Sequence, residues 1–270
     1  MLIPNWKKFE LNTLDNLKKF ETSSLKFRSE GGSNSTEPDI KVYKNNIFLE
    51  SLECKLSPAQ GGQFVVLWNG SEFQYSSSNV NPESFETIEI IKLMNKNKLY
   101  YSKIFNPSES SSIDLDIDDT IVAQHLINIY KAKKSNFIVS STNLNNDIKI
   151  IPIEKIKDNF NIIGKYRIKR SGSINLPLKD YSIAEEKFTE KYGIEIFDIN
   201  TISFDTTLEK KERYFGDNSE YFLGIQTDGT YKVKKLSNTF NANVIFTLSL
   251  KSFTPDSISF QNLIDILKNK

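Results

Sequence analysis

Two carboxylates and a lysine stand at a spacing that could support metal-assisted hydrolysis of a phosphate ester. Asp39 follows Pro38, and Glu53-Cys54-Lys55 comes one short hairpin later. Residues two apart on a strand point to the same face, so Glu53 and Lys55 project together while Cys54 points away. Two carboxylates suit Mg²⁺, which keeps several waters and is held by only one or two carboxylates. A bound Mg²⁺ would lower the pKa of a water molecule, and Lys55 would orient that water and stabilise the transition state.

The alternative is that Glu53 and Lys55 form a solvated strand face and pair with each other. The pattern P-D-x(n)-(D/E)-x-K is short, and its residue types are common. A second Pro-Asp pair, Pro255-Asp256, is followed by no acidic-x-Lys sequence. The rest of the chain therefore has to decide between catalysis and a solvated surface.

Composition excludes several other kinds of chemistry. The chain has 270 residues, of which 38% are hydrophobic and 26% charged, as in ordinary globular proteins. Its single cysteine and single histidine form no internal disulfide and no zinc cluster. No apolar run is long enough for a membrane span and no secretory signal opens the sequence, so we expect a cytoplasmic protein without membrane contact. The net charge of +1 neither predicts nor excludes a polyanionic partner.

Hydrophobic periodicity predicts an α/β arrangement in the first 160 residues, with Asn5 as a helix N-cap. The strands DIKVY and NNIFLESLECK form a hairpin whose second arm carries Glu53 and Lys55. The other elements expected there are a helix at 5–20, a turn at 27–37, helices at 88–94 and 120–131, and buried strands at NFIVSS and DIKIIPI.

The second half of the chain is predicted to be a mixed or antiparallel, β-rich extension. A turn is expected at Asp228-Gly229, and no linker long enough to separate independent domains is present. The elements expected there are a helix near 183–192 and the strands GIEIFDI, EYFLGIQ, TYKVKKL and NVIFTLSL.

Three longer segments supply the context that the short pattern lacks. They are ECKLSPAQGGQFV at 53–65, YRIKRSGS at 166–173 and KLSNTFNANVIFTLSLK at 235–251. In this order they resemble the HhaI-type restriction endonucleases, which are PD-(D/E)XK enzymes that cut duplex DNA at GCGC. The opening NWKKFE also matches, so the resemblance covers nearly the full length. The loops at 71–112 and 201–212 do not match, which leaves open a recognition sequence other than GCGC.

The resemblance implies a type II restriction endonuclease that hydrolyses double-stranded DNA and leaves 5′-phosphate and 3′-hydroxyl ends. The implied fold is a PD-(D/E)XK core with a mixed sheet flanked by helices, and a β-rich recognition extension. The core would span residues 1–160 and the extension 161–270, packed as one compact unit. Mg²⁺ is the implied cofactor, and a DNA methyltransferase would belong to the same system without being a subunit. ATP is not expected, because no Walker-type loop is present.

Carried over residue by residue, the resemblance makes Asp39, Glu53, Lys55 and Gln63 catalytic. The implied metal ligands are Asp39, Glu53 and the backbone carbonyl of Cys54. Glu10 and Gln60 are accessory candidates. For Glu10 the alternative is a helix-surface residue paired with Lys7 or Lys8, and for Gln60 it is hydrogen bonding to the backbone.

Basic and Asn-rich strings are the candidates for DNA contact. Strand alternation in KYRIKRSGS puts Lys165, Arg167 and Lys169 on one face, which could hold phosphates or pair with guanine. The alternative is a solvated edge strand, and asparagines also serve in turns. The full candidate set is Lys165, Arg167, Lys169, Arg170, Ser171, Ser173, Asn238, Asn241 and Asn243.

Two further features are given structural roles. The acidic run from Asp114 to Asp119 lacks the Gly and Glu of a calcium loop, so a loop and a helix N-terminus are expected there. His125 is expected to be a structural helix residue. A silent DNA-binding module and a structure-selective repair nuclease stay open as alternative functions, and monomer and dimer are both compatible with the sequence.

Overall fold

The computed structural model describes residues 3–29, 37–102, 111–144, 147–170, 173–193, 195, 201–203, 208–226, 230–236 and 240–270, except for the side chains at 111, 169, 170, 210, 211, 240 and 241. The helices are α1 (Asn5–Lys18), α2 (Phe85–Lys96), α3 (Lys98–Tyr101), α4 (Asp119–Ala132), α5 (Ile156–Asn159), α6 (Tyr181–Tyr192) and α7 (Phe260–Asn269). The strands are β1 (Leu25–Ser29), β2 (Ile40–Lys44), β3 (Ile47–Leu56), β4 (Ala59–Trp68), β5 (Phe73–Tyr75), β6 (Ser111–Leu115), β7 (Ser135–Ser141), β8 (Lys149–Pro152), β9 (Phe160–Arg170), β10 (Ser173–Asn175), β11 (Tyr214–Phe215), β12 (Tyr221–Ile225), β13 (Tyr231–Leu236) and β14 (Phe240–Leu250).

The chain divides into two compact units. The larger unit takes the described residues of Leu2–Phe105, Ser111–Arg167 and Ala242–Lys270, and the smaller unit takes those of Ile168–Asn241. The last strand from Ala242 onward and the last helix thus fold within the larger unit. The functional division at residue 160 stays a prediction.

The sheet that carries the hairpin has five strands in the order β1-β2-β3-β7-β8. Its strands β3 and β7 are parallel, whereas the other neighbouring pairs are antiparallel. A parallel pair needs a long crossover, and α4 lies within the segment that supplies it. This mixed sheet with helices confirms the predicted α/β class.

Helices from both ends of the chain pack in one apolar core with this sheet. Phe9, Leu14 and Leu17 of α1 are buried together with Leu263 and Leu267 of α7. Phe20 and Phe260 stack, with 6.4 Å between ring centroids. The helical spacing of the apolar residues in α1 is therefore explained by a single buried face.

A second five-stranded sheet of the larger unit has the order β5-β4-β14-β9-β6. β14 pairs with β4 antiparallel, with Val244 opposite Phe64. The strand β9, which contains the basic string, lies between β14 and β6. The edge-strand alternative for this string is therefore wrong.

Helix α4 begins at the acidic run as expected. Asp118 is the N-cap, and its side chain accepts a 2.6 Å hydrogen bond from the backbone N–H of Thr120. The predicted N-cap of α1 differs, because Pro4 precedes the helix there and makes no side-chain cap. The turn predicted at 27–37 is wrong for its first residues, since Phe27 and Ser29 pair with β2 as part of β1.

The smaller unit holds an antiparallel sheet in the order β10-β13-β12-β11 and the helix α6. Phe188 of α6 is buried in one cluster with Phe215, Tyr221 and Val233. The predicted β-rich C-terminal region is confirmed. Most of the string GIEIFDI and the turn at Asp228-Gly229 lie outside the described residues. In the described part of the chain, every helix is too short or too polar to cross a membrane.

Candidate active site

The β2–β3 hairpin brings the three predicted catalytic side chains together. Ile40 pairs with Leu52, and the same antiparallel register carries Asp39 beside Glu53. The Asp39 carboxylate accepts a 2.7 Å hydrogen bond from the backbone N–H of Cys54. The Lys55 ammonium lies 2.8 Å from Glu53 Oε2 and 3.7 Å from Asp39 Oδ2. One lysine thus bridges both carboxylates.

Burial and mutual charge shift the pKa values of this group in different directions. Burial raises the pKa of Asp39 above its usual value, and the charge of Glu53 adds to this effect. Burial also opposes ionisation of Glu53, but the ammonium groups of Lys55 and Lys133 outweigh it and lower the pKa of Glu53. Burial works against the charge of Lys55 as well, yet the two carboxylates raise the pKa of Lys55 well above its usual value. The lysine is therefore a fixed cation at neutral pH.

Lys133 is a fourth member of this group that the sequence analysis missed. It follows the C-terminal end of α4, and its Nζ lies 3.2 Å from Glu53 Oε1. Ser51 holds the end of the helix in place by donating a 2.8 Å hydrogen bond to the Lys133 carbonyl. Glu53, only 1% exposed, is thereby held between two ammonium groups. A basic residue at a helix C-terminus is common, so no signal in the sequence marked Lys133.

The donor atoms at this site are suitable for Mg²⁺. Among the described residues there is no group of three or more His, Cys, Asp or Glu side chains that could hold a metal ion. Asp39 and Glu53 offer carboxylate oxygens, and the thiol of Cys54 is buried in the core as predicted. Burial raises the pKa of this thiol well above its usual value. An oxygen-only set of two carboxylates matches the preference of Mg²⁺ and differs from a zinc site.

A cleft of about 420 Å³ opens over these residues. Gln60 and Gln63 of β4 line it, are both exposed, and are joined by a 3.0 Å hydrogen bond from Gln60 Nε2 to Gln63 Oε1. The two glycines between them let β4 pass close to its neighbours, because a Cβ on Gly61 would lie 2.9 Å from Leu248. The hydroxyl of Tyr130 donates a 2.7 Å hydrogen bond to the Gly61 carbonyl. The glycines of the string QGGQ are thus explained by packing, whereas its glutamines line the cleft.

Glu10 lies near the cleft residues but is engaged elsewhere. Its carboxylate forms a 2.6 Å ion pair with Lys7, as the alternative interpretation expected, but Glu10 is buried and not on the helix surface. Burial raises the pKa of Glu10, the Lys7 hydrogen bond opposes this, and the charge of Asp39 raises the pKa further.

His125 fits its predicted structural role. Its ring packs edge-on against Phe64 and Phe246, at centroid distances of 5.6 and 5.3 Å. Burial lowers the pKa of His125 to about 4, and the Glu86 carboxylate offsets this only in part. The imidazole is neutral at pH 7 and contributes a wall of the cleft.

The comparisons with known proteins concern the fold of the whole chain. No protein-family model and no curated protein matches the chain significantly. A solved structure of HhaI endonuclease in complex with DNA is similar, with 29% sequence identity and a TM-score of 0.78. The match covers 99% of this chain and 100% of that chain. The chain has the fold of an HhaI-type restriction endonuclease. The resemblance and the predicted fold are confirmed, and the similarity supports the prediction of a site-specific deoxyribonuclease.

Within this HhaI-type fold, the candidate DNA-contacting residues fall into different environments. Lys165 forms a 3.0 Å ion pair with Asp114. Arg167 is half-buried, and its Nε has no hydrogen-bond partner among the described residues. Asn243 is buried in β14 opposite Val65, and Ser173 is half-buried at the start of β10. Ser171, Asn238 and the side chains of Lys169, Arg170 and Asn241 lie outside what the structure describes.

Proposed function

We propose that this chain is a type II restriction endonuclease that cuts double-stranded DNA at a short palindromic G·C-rich site, with GCGC as the first candidate. The observation that carries the proposal is the group formed by buried Glu53 and half-buried Asp39 and Lys55, which lines a cleft. Support also comes from the full-length similarity to an endonuclease that was solved with DNA. At 29% identity the base-contacting residues can differ, so the exact site needs its own test.

Asp39, Glu53 and the Cys54 carbonyl are the residues that would hold Mg²⁺. When bound, the ion supplies acidification of a water molecule and neutralises charge on the phosphate. Glu53 is ionised at neutral pH, because Lys55 and Lys133 lower its pKa. Asp39 is kept in register by the backbone N–H of Cys54. The protein therefore presents two oriented carboxylates.

Lys55 would act as a hydrogen-bond donor and a fixed charge. The charges of Glu53 and Asp39 raise the pKa of Lys55, which favours its protonated ammonium form. The ammonium can orient the attacking water and stabilise the extra negative charge as the phosphorus gains a fifth oxygen neighbour. In-line attack forms a bond from the water oxygen to phosphorus and breaks the bond to the 3′ oxygen. The attacking water gives up a proton to solvent, and the 3′ oxygen takes up a proton from solvent. The products are a 5′-phosphate and a 3′-hydroxyl.

Gln63 would contact the scissile phosphate or the attacking water from the cleft wall. Its amide oxygen accepts a hydrogen bond from Gln60. This bond fixes the orientation of the Gln63 amide and so the direction in which its N–H groups point. Gln60 would thus position Gln63. Both side chains are exposed in the cleft, as a contact with DNA requires.

Recognition would come mainly from residues 161–270. Lys165 and Arg167, with Lys169 and Arg170, would contact phosphates or guanine edges, since arginine pairs bidentately with guanine O6 and N7. Ser171 and Ser173 of the basic string and Asn238 and Asn241 of the Asn-rich string are further polar candidates, whereas Asn243 is buried in β14.

The test is digestion of plasmid and genomic DNA with Mg²⁺, followed by sequencing of the fragment ends. Discrete fragments that end at one palindrome support the proposal and identify the site. Binding to duplex DNA with no cutting in Mg²⁺ or Mn²⁺ would instead indicate a silent binding module. Cutting of branched or nicked DNA without sequence preference would indicate a repair nuclease.

A further inference from the structure

One wall of the catalytic cleft is formed by the segment between β5 and α2. We call residues 76–81 the cleft-wall loop. Ser78, Asn79, Val80 and Asn81 line the same cavity as the catalytic carboxylates. This loop belongs to the region 71–112, whose sequence does not resemble the family.

The amide of Asn79 fixes the loop to the neighbouring strand β4. Its Oδ1 accepts a 2.7 Å hydrogen bond from the Val65 N–H, and its Nδ2 donates to the Val65 carbonyl at 2.9 Å. The same Nδ2 donates to the Ser76 carbonyl at 2.9 Å. A side-chain amide therefore satisfies the backbone of β4 as a neighbouring strand would.

Two further contacts hold the loop at its ends. The hydroxyl of Tyr75 donates to the Asn81 carbonyl at 2.8 Å, and the hydroxyls of Ser76 and Ser78 lie 2.8 Å apart. These bonds form within the protein alone. A ligand in the cleft would meet a loop that is already ordered, so little conformational entropy would be lost on binding.

The fixed loop presents an apolar side chain next to polar ones. Val80 is 80% exposed, and its neighbours Asn81 and Ser78 are exposed as well. A valine cannot bind a phosphate, but its methyl groups can pack on a sugar or on the C5 edge of a pyrimidine. Asn81 supplies the amide donor and acceptor groups that base edges recognise.

We propose that the cleft-wall loop contacts the nucleotides next to the scissile phosphate, with Val80 packing on the C5 edge of a pyrimidine and Asn81 hydrogen bonding to a base edge. Asn79 acts as a positioning residue that holds both side chains at the cleft. The inference rests on the proposed function, because it assumes that duplex DNA occupies the cleft. It adds a specificity-determining contact beside the catalytic carboxylates.

Binding is tested with Val80→Ser in a Lys55→Ala background, so that no cutting occurs. The matched control is Ile47→Ser, since Ile47 is 72% exposed and lies at the hairpin turn away from the cleft lining. Fluorescence anisotropy compares a duplex that contains the cut site with a scrambled duplex. Val80→Ser should weaken specific binding about 5- to 20-fold and leave scrambled binding unchanged, as expected for one lost contact at a base pair.

Location is tested by photo-crosslinking. Cys54, the only cysteine of the chain, is buried, so Val80→Cys introduces one accessible thiol for a photoreactive label. The label should crosslink to nucleotides that flank the cut, whereas Ile47→Cys should not. Equal behaviour of the Val80 and Ile47 variants in both assays, with DNA still bound specifically by the parent protein, overturns this inference alone. A parent protein that binds no duplex DNA overturns the proposed function as well.

Discussion

Replacing Lys133 by methionine removes one of the two ammonium groups that face the buried carboxylate of Glu53. Methionine keeps most of the apolar stem, so the change is mainly electrostatic. Lys133 is 15% exposed and its Nζ lies 3.2 Å from Glu53 Oε1. A hydrogen bond to a charged group at such a site contributes about 1.5–3 kcal/mol. Because Lys55 still contacts Glu53, we expect a value near the lower end of this range.

The matched control is Lys131→Met on the same helix. Lys131 is 51% exposed and pairs with the exposed Glu154 at 3.2 Å. A surface pair of this kind contributes about 0–1 kcal/mol. Both variants lose one positive charge. The difference between their losses of unfolding free energy therefore measures how much more the buried pair with Glu53 contributes than an exposed pair.

The measurement is urea and thermal unfolding at pH 7 in EDTA. The Lys133→Met variant should unfold about 3–6 °C below the parent protein, since each kcal/mol shifts the midpoint by about 2–4 °C in chains of comparable size. The folded-state pKa of Glu53 is lowered, so the stabilisation is present above its usual value of 4.5 and is lost as the pH falls through the lower folded value. The stability difference between parent and variant should therefore shrink as the pH falls through the lowered folded pKa of Glu53. A loss no larger than that of Lys131→Met, or a gap that does not shrink on acidification, would refute the reasoning.

Three further outcomes are expected. Lys55→Ala should lower the rate of single-turnover cleavage by about 10³-fold or more, because the lysine acts on the transition state. Specific DNA binding, measured by anisotropy, should stay within a few-fold of the parent. Cutting at the parental rate would contradict the proposed role of Lys55. His125→Gln should remove part of the stability that the parent protein loses in acid. The folded pKa of His125 is about 4, below the usual 6.5, so the parent loses up to about 3 kcal/mol of unfolding free energy as the pH falls from 6.5 to 4. Urea unfolding of the variant should lack this loss. Parallel stability curves for the two proteins would contradict this. Gly61→Ala should destabilise the protein by about 1–3 kcal/mol, since its Cβ would lie 2.9 Å from Leu248, whereas alanine at the exposed turn residue Ser77 should change urea unfolding little.

The local part of the site could be predicted from the sequence. Glu53 and Lys55 share a face because strand side chains alternate, and one hairpin is enough to bring Asp39 beside them. The buried thiol of Cys54 follows from the same alternation. The positions of α2, α4 and α6 were also indicated by their apolar spacing, to within a few residues at each end.

Features that depend on distant partners were missed or misplaced. The strand β1 was taken for a turn because its residues look polar and flexible locally, while its pairing with β2 is what makes it a strand. β9 was left open as an edge strand, since only the insertion of β14 beside it puts it inside a sheet. The cleft-wall loop has an exposed, polar sequence, and only the hydrogen bonds between Asn79 and the backbone of Val65 show that it is fixed to β4.

The sequence alone determined the Asp39, Glu53 and Lys55 group and the class of fold, because alternation and hairpin pairing act over a few residues. The tertiary structure decided what surrounds that group. Lys133 reaches Glu53 from the end of a helix, and β14 returns from the far end of the chain to pair with β4. Such contacts depend on sheet order and packing, which no spacing between neighbouring residues encodes.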